Sequence, residues 1–553
     1  MHYDLLFLHP PSVYDFRDMP WFPGPVARLV PESTSVFMTI PVGLMSIADY
    51  LDRNGFKVKI INLCEMMLSD PDFNVEYFLK KADAAIFGID LHWCTHSQGA
   101  VEIARLCKKH HPNSLVVLGG LTATRFASEI VSKFRFIDAV VRGEAERPML
   151  KLAQVAETRR LYETPNLTYQ KNSKIHINND MKVVKNLDMF DFTRFDLLEP
   201  RDRVMTLRTP WGPWKHWSIP VCRGCLFNCV TCGGSSYSYR TLLKRRFPAF
   251  RSPEKIAHDF QKLSEQGIDH AFLFQDIRMG GKKYWQNLLK TLHREKTNIK
   301  EVVMELFYPA DDKFLESASR FRPAEKVAFT ISPESGAEDV RKACGKNYSN
   351  EDLLQTGELC LKHRFKLLIF FMTGLALENR QSVEETYRLW DNLLRLNIAA
   401  NKLNLLDFDT VRLSWGPMVL LDPGSLAFDF PEKYGYHLLF KNFEDHYKAM
   451  SIPCWTQWIS YETKYFARKD LIELPSHFSE QEVNLYEKYG LYSKQYAATE
   501  RSTISMARTV NEELERIMRE ENESKREKRL ETLYRAVRLH LRATSGESFR
   551  VSS

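Results

Sequence analysis

Short runs of apolar residues, separated by stretches of helical periodicity, recur along most of this chain and leave it few architectures. In the first 155 residues the runs fall at 3–8, 57–61, 84–89, 115–118 and 139–141. Between them, residues 41–54 place Leu44, Ile47, Ala48 and Leu51 on one helical face, and 98–110 read as a second helix. Strands that are apolar throughout are buried on both sides, the mark of a parallel sheet covered by helices. Residues 1–155 are therefore expected to form a doubly wound, Rossmann-like α/β domain, with a Pro-rich loop after the first run that continues through Pro31. Residues 156–210 are polar and irregular, carry a hairpin pattern at 167–177, and read as a linker region. Six further runs, at 216–221, 271–275, 302–307, 327–331, 367–372 and 411–415, alternate with helical stretches such as 253–265 and 352–363. Six βα units over 211–430 predict a barrel or partial barrel, with its chemistry at the C-terminal strand ends. Residues 431–553 turn aromatic-rich (434–465), then helical and charge-dense (481–542). Mixed charges suit a solvated helix face, with partner binding or a coiled coil as the alternative.

A chain of 553 residues with 44% hydrophobic and 27% charged side chains has material for two or three cores. Its net charge of +7 is spread over a large molecule and gives no ground to expect nucleic acid. The start, MHYDLLFLHPP, has neither the basic segment nor the long apolar stretch of a signal peptide. The longest apolar run, near 367–377, is too short to span a bilayer, so no transmembrane segment is expected. Ten cysteines in a chain without a secretion signal suit a reducing cytoplasm. Six of them are scattered among apolar or helical surroundings and read as buried small hydrophobes.

The other four crowd together just after the sixth apolar run. Cys225-Leu-Phe-Asn-Cys229-Val-Thr-Cys232 puts three thiolates within eight residues, enough to wrap one face of a metal cluster. Closed zinc sites and ordinary electron-transfer clusters take four protein ligands, whereas three leave one metal position open. Cys222 can supply a fourth thiolate, giving a zinc-like Cys-x2-Cys…Cys-x2-Cys pattern, and that structural-metal reading stands beside the first.

The spacing Cys-x3-Cys-x2-Cys on the loop after a barrel's first strand resembles the radical S-adenosylmethionine (SAM) superfamily. The resemblance implies a [4Fe-4S] cluster on Cys225, Cys229 and Cys232, whose open iron chelates SAM. One electron then cleaves SAM, usually to a 5′-deoxyadenosyl radical. Later segments resemble the family as well: Arg251-Ser-Pro-Glu254 and Phe272-Leu-Phe-Gln-Asp276, Ile331-Ser-Pro-Glu-Ser-Gly336, Thr373-Gly-Leu375 and Asp422-Pro-Gly-Ser425. Two positions depart from it. Thr231 stands where an aromatic residue often precedes the third cysteine, and Gly374-Leu-Ala-Leu-Glu378 replaces Gly-Leu-Pro-Gly-Glu. Candidate SAM contacts are Gly233 and Gly234, whose missing Cβ atoms allow close approach, with Asp276, Glu334 as a hydrogen-bond acceptor and Lys346 toward the SAM carboxylate. A tight turn explains the glycines equally well, and a surface salt bridge explains Lys346. Lys244, Arg245 and Arg246 read as a solvated basic face, with an anionic substrate as the alternative.

In a doubly wound sheet, ligands bind beyond the C-terminal strand ends at the switch point. Gly119-Gly120 follows a strand directly, Arg142-Gly143-Glu144-Ala-Glu146 follows the last one, and Pro41-Val-Gly-Leu44 opens the first helix. These resemble the cobalamin-binding domain fused in front of a large radical SAM subgroup, the class B methyltransferase-like proteins. No Gly-x-Gly-x-x-Gly follows the first strand, which weakens a dinucleotide reading. Asp90-Leu-His92 mimics the start of the lower-ligand histidine signature but lies after the third strand and lacks its glycine. His92, Trp93 and Cys94 are placed as candidates to line the corrin.

The expected protein is thus a cobalamin-binding domain, a (β/α)6 partial TIM barrel of radical SAM type and a mainly helical C-terminal region. Its expected activity is methylation of an unactivated carbon of a small molecule, lipid or peptide, with an electron donor such as ferredoxin or flavodoxin. Two alternatives are a cyclase or ring-rearranging enzyme with the same cofactors and a non-catalytic iron–sulfur structural or sensor protein. Trp455, Trp458 and Tyr461 are expected either to cap the active site or to pack in a core.

Overall fold

The computed structural model describes residues 2–24, 39–201, 206–209, 212–402 and 411–548. The end of the expected Pro-rich loop, residues 25–31, lies outside these residues. All five expected strands of the first domain form: β1 (His2–His9), β2 (Val58–Asn62), β3 (Asp83–Asp90), β4 (Leu115–Gly119) and β5 (Ala139–Val141). They pair in parallel in the order β5-β4-β3-β1-β2. Strand order reverses between β1 and β3, so their C-terminal ends open the ligand crevice of this fold. In the helix Gly43–Asp52, Leu44, Ala48 and Leu51 are buried against the sheet, as their spacing requires.

Residues 156–210 are more than a linker. The hairpin β6 (Leu167–Lys171) and β7 (Lys174–Ile177) adds antiparallel to β5, and β8 (Leu198–Glu199) adds parallel to β2, giving eight strands. Every residue of β7 is exposed. An edge strand needs only backbone pairing on one side, so the expected hairpin pattern at 167–177 carried no sign that the hairpin extends a sheet. The intervening segment packs Val184, Leu187, Phe190 and Phe192 into a small core of its own.

The second sheet starts with β9 (Thr206–Thr209), antiparallel to β10 (Gly212–Pro220). A two-stranded ribbon follows, β11 (Cys222–Arg223) with β12 (Ala249–Phe250). Then come β13 (His270–Phe274), β14 (Glu301–Leu306), β15 (Lys326–Glu334), β16 (Lys366–Thr373) and β17 (Val411–Met418). The order β17-β16-β15-β14-β13-β10 is parallel throughout, the six-unit arc expected. The helix Pro253–Glu265 shows why its boundary was legible: the Ser252 side chain accepts from the Lys255 amide, and Pro253 takes the first helical position. Along β13–β16 the outward-facing residues are fully buried under helices. The alternating set, including Phe272, Phe274, Glu305, Thr330, Glu334, Phe370 and Met372, lines the concave face and stays partly accessible.

Beyond the arc, β18 (Tyr436–Leu438) pairs with β19 (Tyr461–Thr463), and three long helices follow, Arg468–Lys488, Lys494–Met518 and Glu523–Ser548. Trp455 and Trp458 are buried. Trp455 donates to Asn511 (3.1 Å) and Trp458 stacks near Trp21, so both belong to packing. Tyr461 is buried too, and its hydroxyl donates to the Val419 carbonyl (2.7 Å) beside the end of β16. Leu514, Ile517 and Leu530 of the tail cover Phe22, so part of the expected charged face packs on its own chain. Among the described residues no helix is long and apolar enough to cross a membrane.

Candidate active site

The loop that leaves β10 carries the three cysteines. Cys225 and Cys229 are partly exposed and Cys232 is exposed, whereas Cys222 is buried on the ribbon with its thiol donating to the Gly224 carbonyl (3.6 Å). Two backbone amides aim at sulfur: Phe227 at Cys225 (3.4 Å) and Gly234 at Cys232 (3.2 Å). Accessible thiols flanked by amide donors suit a bound cluster, whose sulfurs gain from such hydrogen bonds. Burial pushes the Cys225 thiol up to about 11 and raises Cys229 as well, so cation binding is what would deprotonate them. Among the described residues, three or more His/Cys/Asp/Glu ligand atoms come within 4.8 Å of one another only at His9, Asp90 and His96. The four cysteines are therefore not gathered as one zinc ion would hold them.

Neighbouring loops clamp this segment. The Val230 amide donates to the Cys344 carbonyl (3.1 Å), and a Cβ on Gly345 would stand 2.5 Å from the Asn228 carbonyl. On the other side Asp422 accepts from the Gly233 amide (2.8 Å), and a Cβ on Gly233 would meet the Asp422 Cβ at 2.8 Å. Gly233 is therefore fixed by packing, while a Cβ on Gly234 would touch only the Cys232 sulfur, at 3.5 Å. Burial pushes the Asp422 carboxyl up to about 6 despite that amide.

Glu334 and Lys346 meet each other, Oε1 to Nζ at 2.6 Å, and Lys346 also donates to the Ser332 carbonyl. Burial alone would lower the Lys346 pKa, but Glu334 and Cys229 beside it hold it above the usual lysine value. Glu334 sits at φ +68°, where the β15–β16 register shifts, and Gln275 at the end of β13 sits at φ +75°. Left-handed non-glycine residues at strand ends are where folds store strain for a site. The Gln275 side chain accepts from the Cys222 amide (3.1 Å), its own amide donates to Glu305, and burial pushes Glu305 up to about 7. Asp276, by contrast, is fully occupied: Oδ1 takes the Arg278 amide and Nε, and Oδ2 takes the Arg278 guanidinium (2.6 Å) and the Phe307 amide (2.9 Å). It ties two strand ends together and has no oxygen left for SAM. At the departing motif, Glu378 accepts from the Gly374 (2.8 Å) and Leu375 amides, with burial raising its carboxyl to about 8.

In the front domain, Gly120 has φ +114°, and a Cβ there would meet the Leu91 carbonyl at 2.6 Å and the His92 Cα at 2.7 Å. Around Gly119 the nearest atom to such a Cβ is the Val141 carbonyl, 3.9 Å away, so open space lies above the strand end. That cradle fits a corrin, with His92 and Trp93, half-buried and 4.8 Å apart edge to face, on its rim. Cys94 is buried, its thiol pushed up to about 12 by burial and secondarily by Asp422 of the cluster side. Leu44 is core rather than rim. Gly143 takes φ +72° and lies against Met181 and Leu243. Glu144 is buried between Arg245 (2.7 Å) and the Val184 amide (2.8 Å), an interdomain ion pair rather than a cofactor contact. Arg245 is accordingly no part of a solvated basic face, although Lys244 and Arg246 are exposed.

Sequence reasoning missed Asp422, Arg223, Glu305 and the buried trio at the ends of β1 and β3. There His9 meets Asp90 at 2.8 Å, and His96 lies 3.9 Å from its other oxygen. Isolated polar residues inside apolar runs carry no periodic signal, and only Asp422, within Asp422-Pro-Gly-Ser425, and Asp90, within Asp90-Leu-His92, lay in quoted motifs.

Gly120→Val is expected to cut retained cobalamin about tenfold without loss of iron, because φ > 0 strain of about 1–3 kcal/mol falls on the cradle alone. Cobalamin absorbance per chain after gel filtration, beside an iron assay, checks this.

Comparison with known proteins matches this layout. The B12 binding domain model matches residues 33–153 and the radical SAM superfamily model residues 219–389. An uncharacterized methyltransferase of Pyrococcus horikoshii is 26% identical over 350 residues, 63% of this chain and 72% of that protein. The anaerobic magnesium-protoporphyrin IX monomethyl ester cyclase of Cereibacter sphaeroides is 24% identical over 320 residues, 53% of this chain, which spans about half (47%) of the cyclase. Among solved structures, the radical SAM methyltransferase TsrM from Kitasatospora setae, with tryptophan substrate and a SAM analogue bound, shares the fold. Its TM-score is 0.57 at 15% identity, over 79% of this chain and 78% of that one. The cobalamin-dependent SAM radical enzyme OxsB shares it at TM-score 0.58 and 13% identity, over 97% of this chain and 75% of that one. The chain carries a radical SAM domain with a B12-binding domain in front of it, and the cofactors these domains take are a [4Fe-4S] cluster, SAM and cobalamin.

Proposed function

We propose that this enzyme methylates an unactivated carbon of a small molecule, lipid or peptide. The observation that carries the reading is the facing of the two sites. Arg223 and Arg245, on either side of the cluster loop's start, pair with Glu146 (2.6 Å) and Glu144 (2.7 Å) of the front domain, while Asp422 pins Gly233 next to the third cluster cysteine. When bound, the cluster supplies the electron that cleaves SAM, and cobalamin carries a methyl group. Cys225, Cys229 and Cys232 hold the cluster, and Lys346 offers its charge to the SAM carboxylate, with Glu334 beside it. Phe272, Phe274, Phe370 and Met372 give the concave face an apolar lining that keeps water from a reactive intermediate. The names of the Pyrococcus relative and of TsrM support methyl transfer. A ring-forming reaction is the second reading, favoured by the cyclase relatives. We place the enzyme in a reducing cytoplasm, where ferredoxin or flavodoxin would supply the electron.

The test uses anaerobically reconstituted protein with cobalamin, a strong reductant and SAM bearing a deuterated methyl group. Methylation predicts S-adenosylhomocysteine, with the label leaving SAM, alongside 5′-deoxyadenosine. Formation of 5′-deoxyadenosine without S-adenosylhomocysteine points to the ring-forming reading. If neither product appears, the catalytic reading fails and a sensor role takes its place.

A further inference from the structure

Cys225 is positioned from the opposite domain. The residue before it, Gly224, has φ +113°, and a Cβ there would stand 2.8 Å from the Pro248 Cα and 3.2 Å from the Arg245 Cδ. Arg245 thus lies along the peptide that launches the cluster loop, and Arg223 precedes that peptide in sequence. Both side chains cross to the front domain. Arg245 Nε donates to Glu144 Oε1 (2.7 Å) and its guanidinium to the Val184 carbonyl. Arg223 donates to Glu146 Oε1 (2.6 Å) and approaches Glu144 Oε2 (3.4 Å), while Ser46 donates to Glu146 (2.8 Å). The side chains of Glu146, Glu144 and Arg245 are 1%, 4% and 4% exposed, and Arg223 is 17% exposed. Two carboxylates and two guanidiniums balance, so removing one charge leaves another buried without compensation. Glu144 follows Gly143 just beyond β5, and Glu146 opens the next helix two residues later, at the C-terminal end of the sheet on which the crevice lies.

We propose that this four-charge bridge makes Arg223 and Arg245 positioning residues that couple cobalamin binding in the front domain to the placement of Cys225. The proposal rests on Cys225, Cys229 and Cys232 being the cluster ligands. The Gly119-Gly120 cradle is tied to this segment, because the Gly143 amide donates to the Thr124 hydroxyl (2.9 Å), which donates to the Gly120 carbonyl (2.7 Å), so a corrin seated in the cradle shifts or stiffens the turn that carries the two glutamates. Guanidinium forks are planar and hold two oxygens at once, so they pass that change to the peptides on either side of Gly224. The shape of the cluster loop, and with it SAM affinity, then depends on whether cobalamin is bound.

The experiment titrates SAM into cluster-loaded protein, with and without cobalamin, reading the electron paramagnetic resonance of the reduced cluster. In the native protein SAM affinity is expected to differ at least about fivefold between the two states, the lower end of ordinary allosteric coupling. In Glu146→Gln, which keeps the side-chain volume, the two affinities are expected to agree within about twofold at full iron and cobalamin content. If Glu146→Gln lacks the native circular dichroism spectrum, Arg223→Lys serves instead, since it keeps the charge and loses the fork. No cobalamin effect in the native protein overturns the proposal, as does a full effect in the folded variant. Failure of the ligand assignment is distinguishable, because it shows as missing iron in the native protein.

Discussion

Replacing Cys225, Cys229 or Cys232 with alanine is expected to bring iron–sulfur content and SAM cleavage down to background, whereas Cys222→Ala keeps most of both. Each of the three thiolates secures a separate iron, and two cannot hold a cluster whose fourth position is already open. The Cys222 thiol is spent on the Gly224 carbonyl inside the ribbon, so alanine there costs a small buried contact. Iron and sulfide assays with visible absorbance, on anaerobically purified variants, check the set. Loss of the cluster in a well-folded Cys222→Ala protein would restore the four-thiolate structural reading.

The largest stability effect is expected behind that loop, at Arg251 and Asp259. Both side chains are fully buried and meet at 2.7 Å, with the guanidinium 4.7 Å above the Phe192 ring. The Arg251 amide donates to the Val221 carbonyl (3.0 Å) and its side chain to the Pro220 carbonyl (3.3 Å), so it anchors the strand end from which the cluster loop departs. Burial pushes the Asp259 carboxyl above its usual value even with Arg251 beside it, the mark of a pair whose desolvation outweighs its attraction. Asp259→Leu alone strands the guanidinium and is expected to cost about 3–5 kcal/mol. Adding Arg251→Met should recover most of that loss, since no buried charge remains. Thermal unfolding of the cofactor-free single and double variants checks the order. A double variant weaker than the single one would mean that the hydrogen bonds to Pro220 matter more than the charge.

What the sequence revealed follows the strength of each physical signal. Buried parallel strands announce themselves as unbroken apolar runs, and all eleven expected ones form, as does the arc they build. The helix face of Leu44, Ala48 and Leu51 was legible for the same reason. β7 was recognised as half of a hairpin, but nothing in its composition told that the hairpin extends a sheet. The three cysteines were legible because thiols at fixed spacing have few structural uses. Asp276 and Glu144 carry a chemistry that serves equally as ligand or as internal tie, and only their partners, Arg278 and Arg245, decide between the two. Those partners lie two residues away in one case and about a hundred in the other.

The segment at 156–199 has a practical consequence for taking this protein apart. It completes the front sheet at both edges, yet the Phe192 carbonyl accepts from the Trp217 indole (2.9 Å), Asp188 accepts from the Ser252 amide (2.9 Å), and Asp191 pairs with Lys262. A fragment cut at 155 would leave β5 with a bare edge. One cut at 199 would carry a whole sheet while stripping the barrel of its seals around Trp217 and Arg251. Exchanging front domains between relatives therefore means moving the strip through 199 together with Glu144 and Glu146, and matching it to the arginines of the receiving barrel.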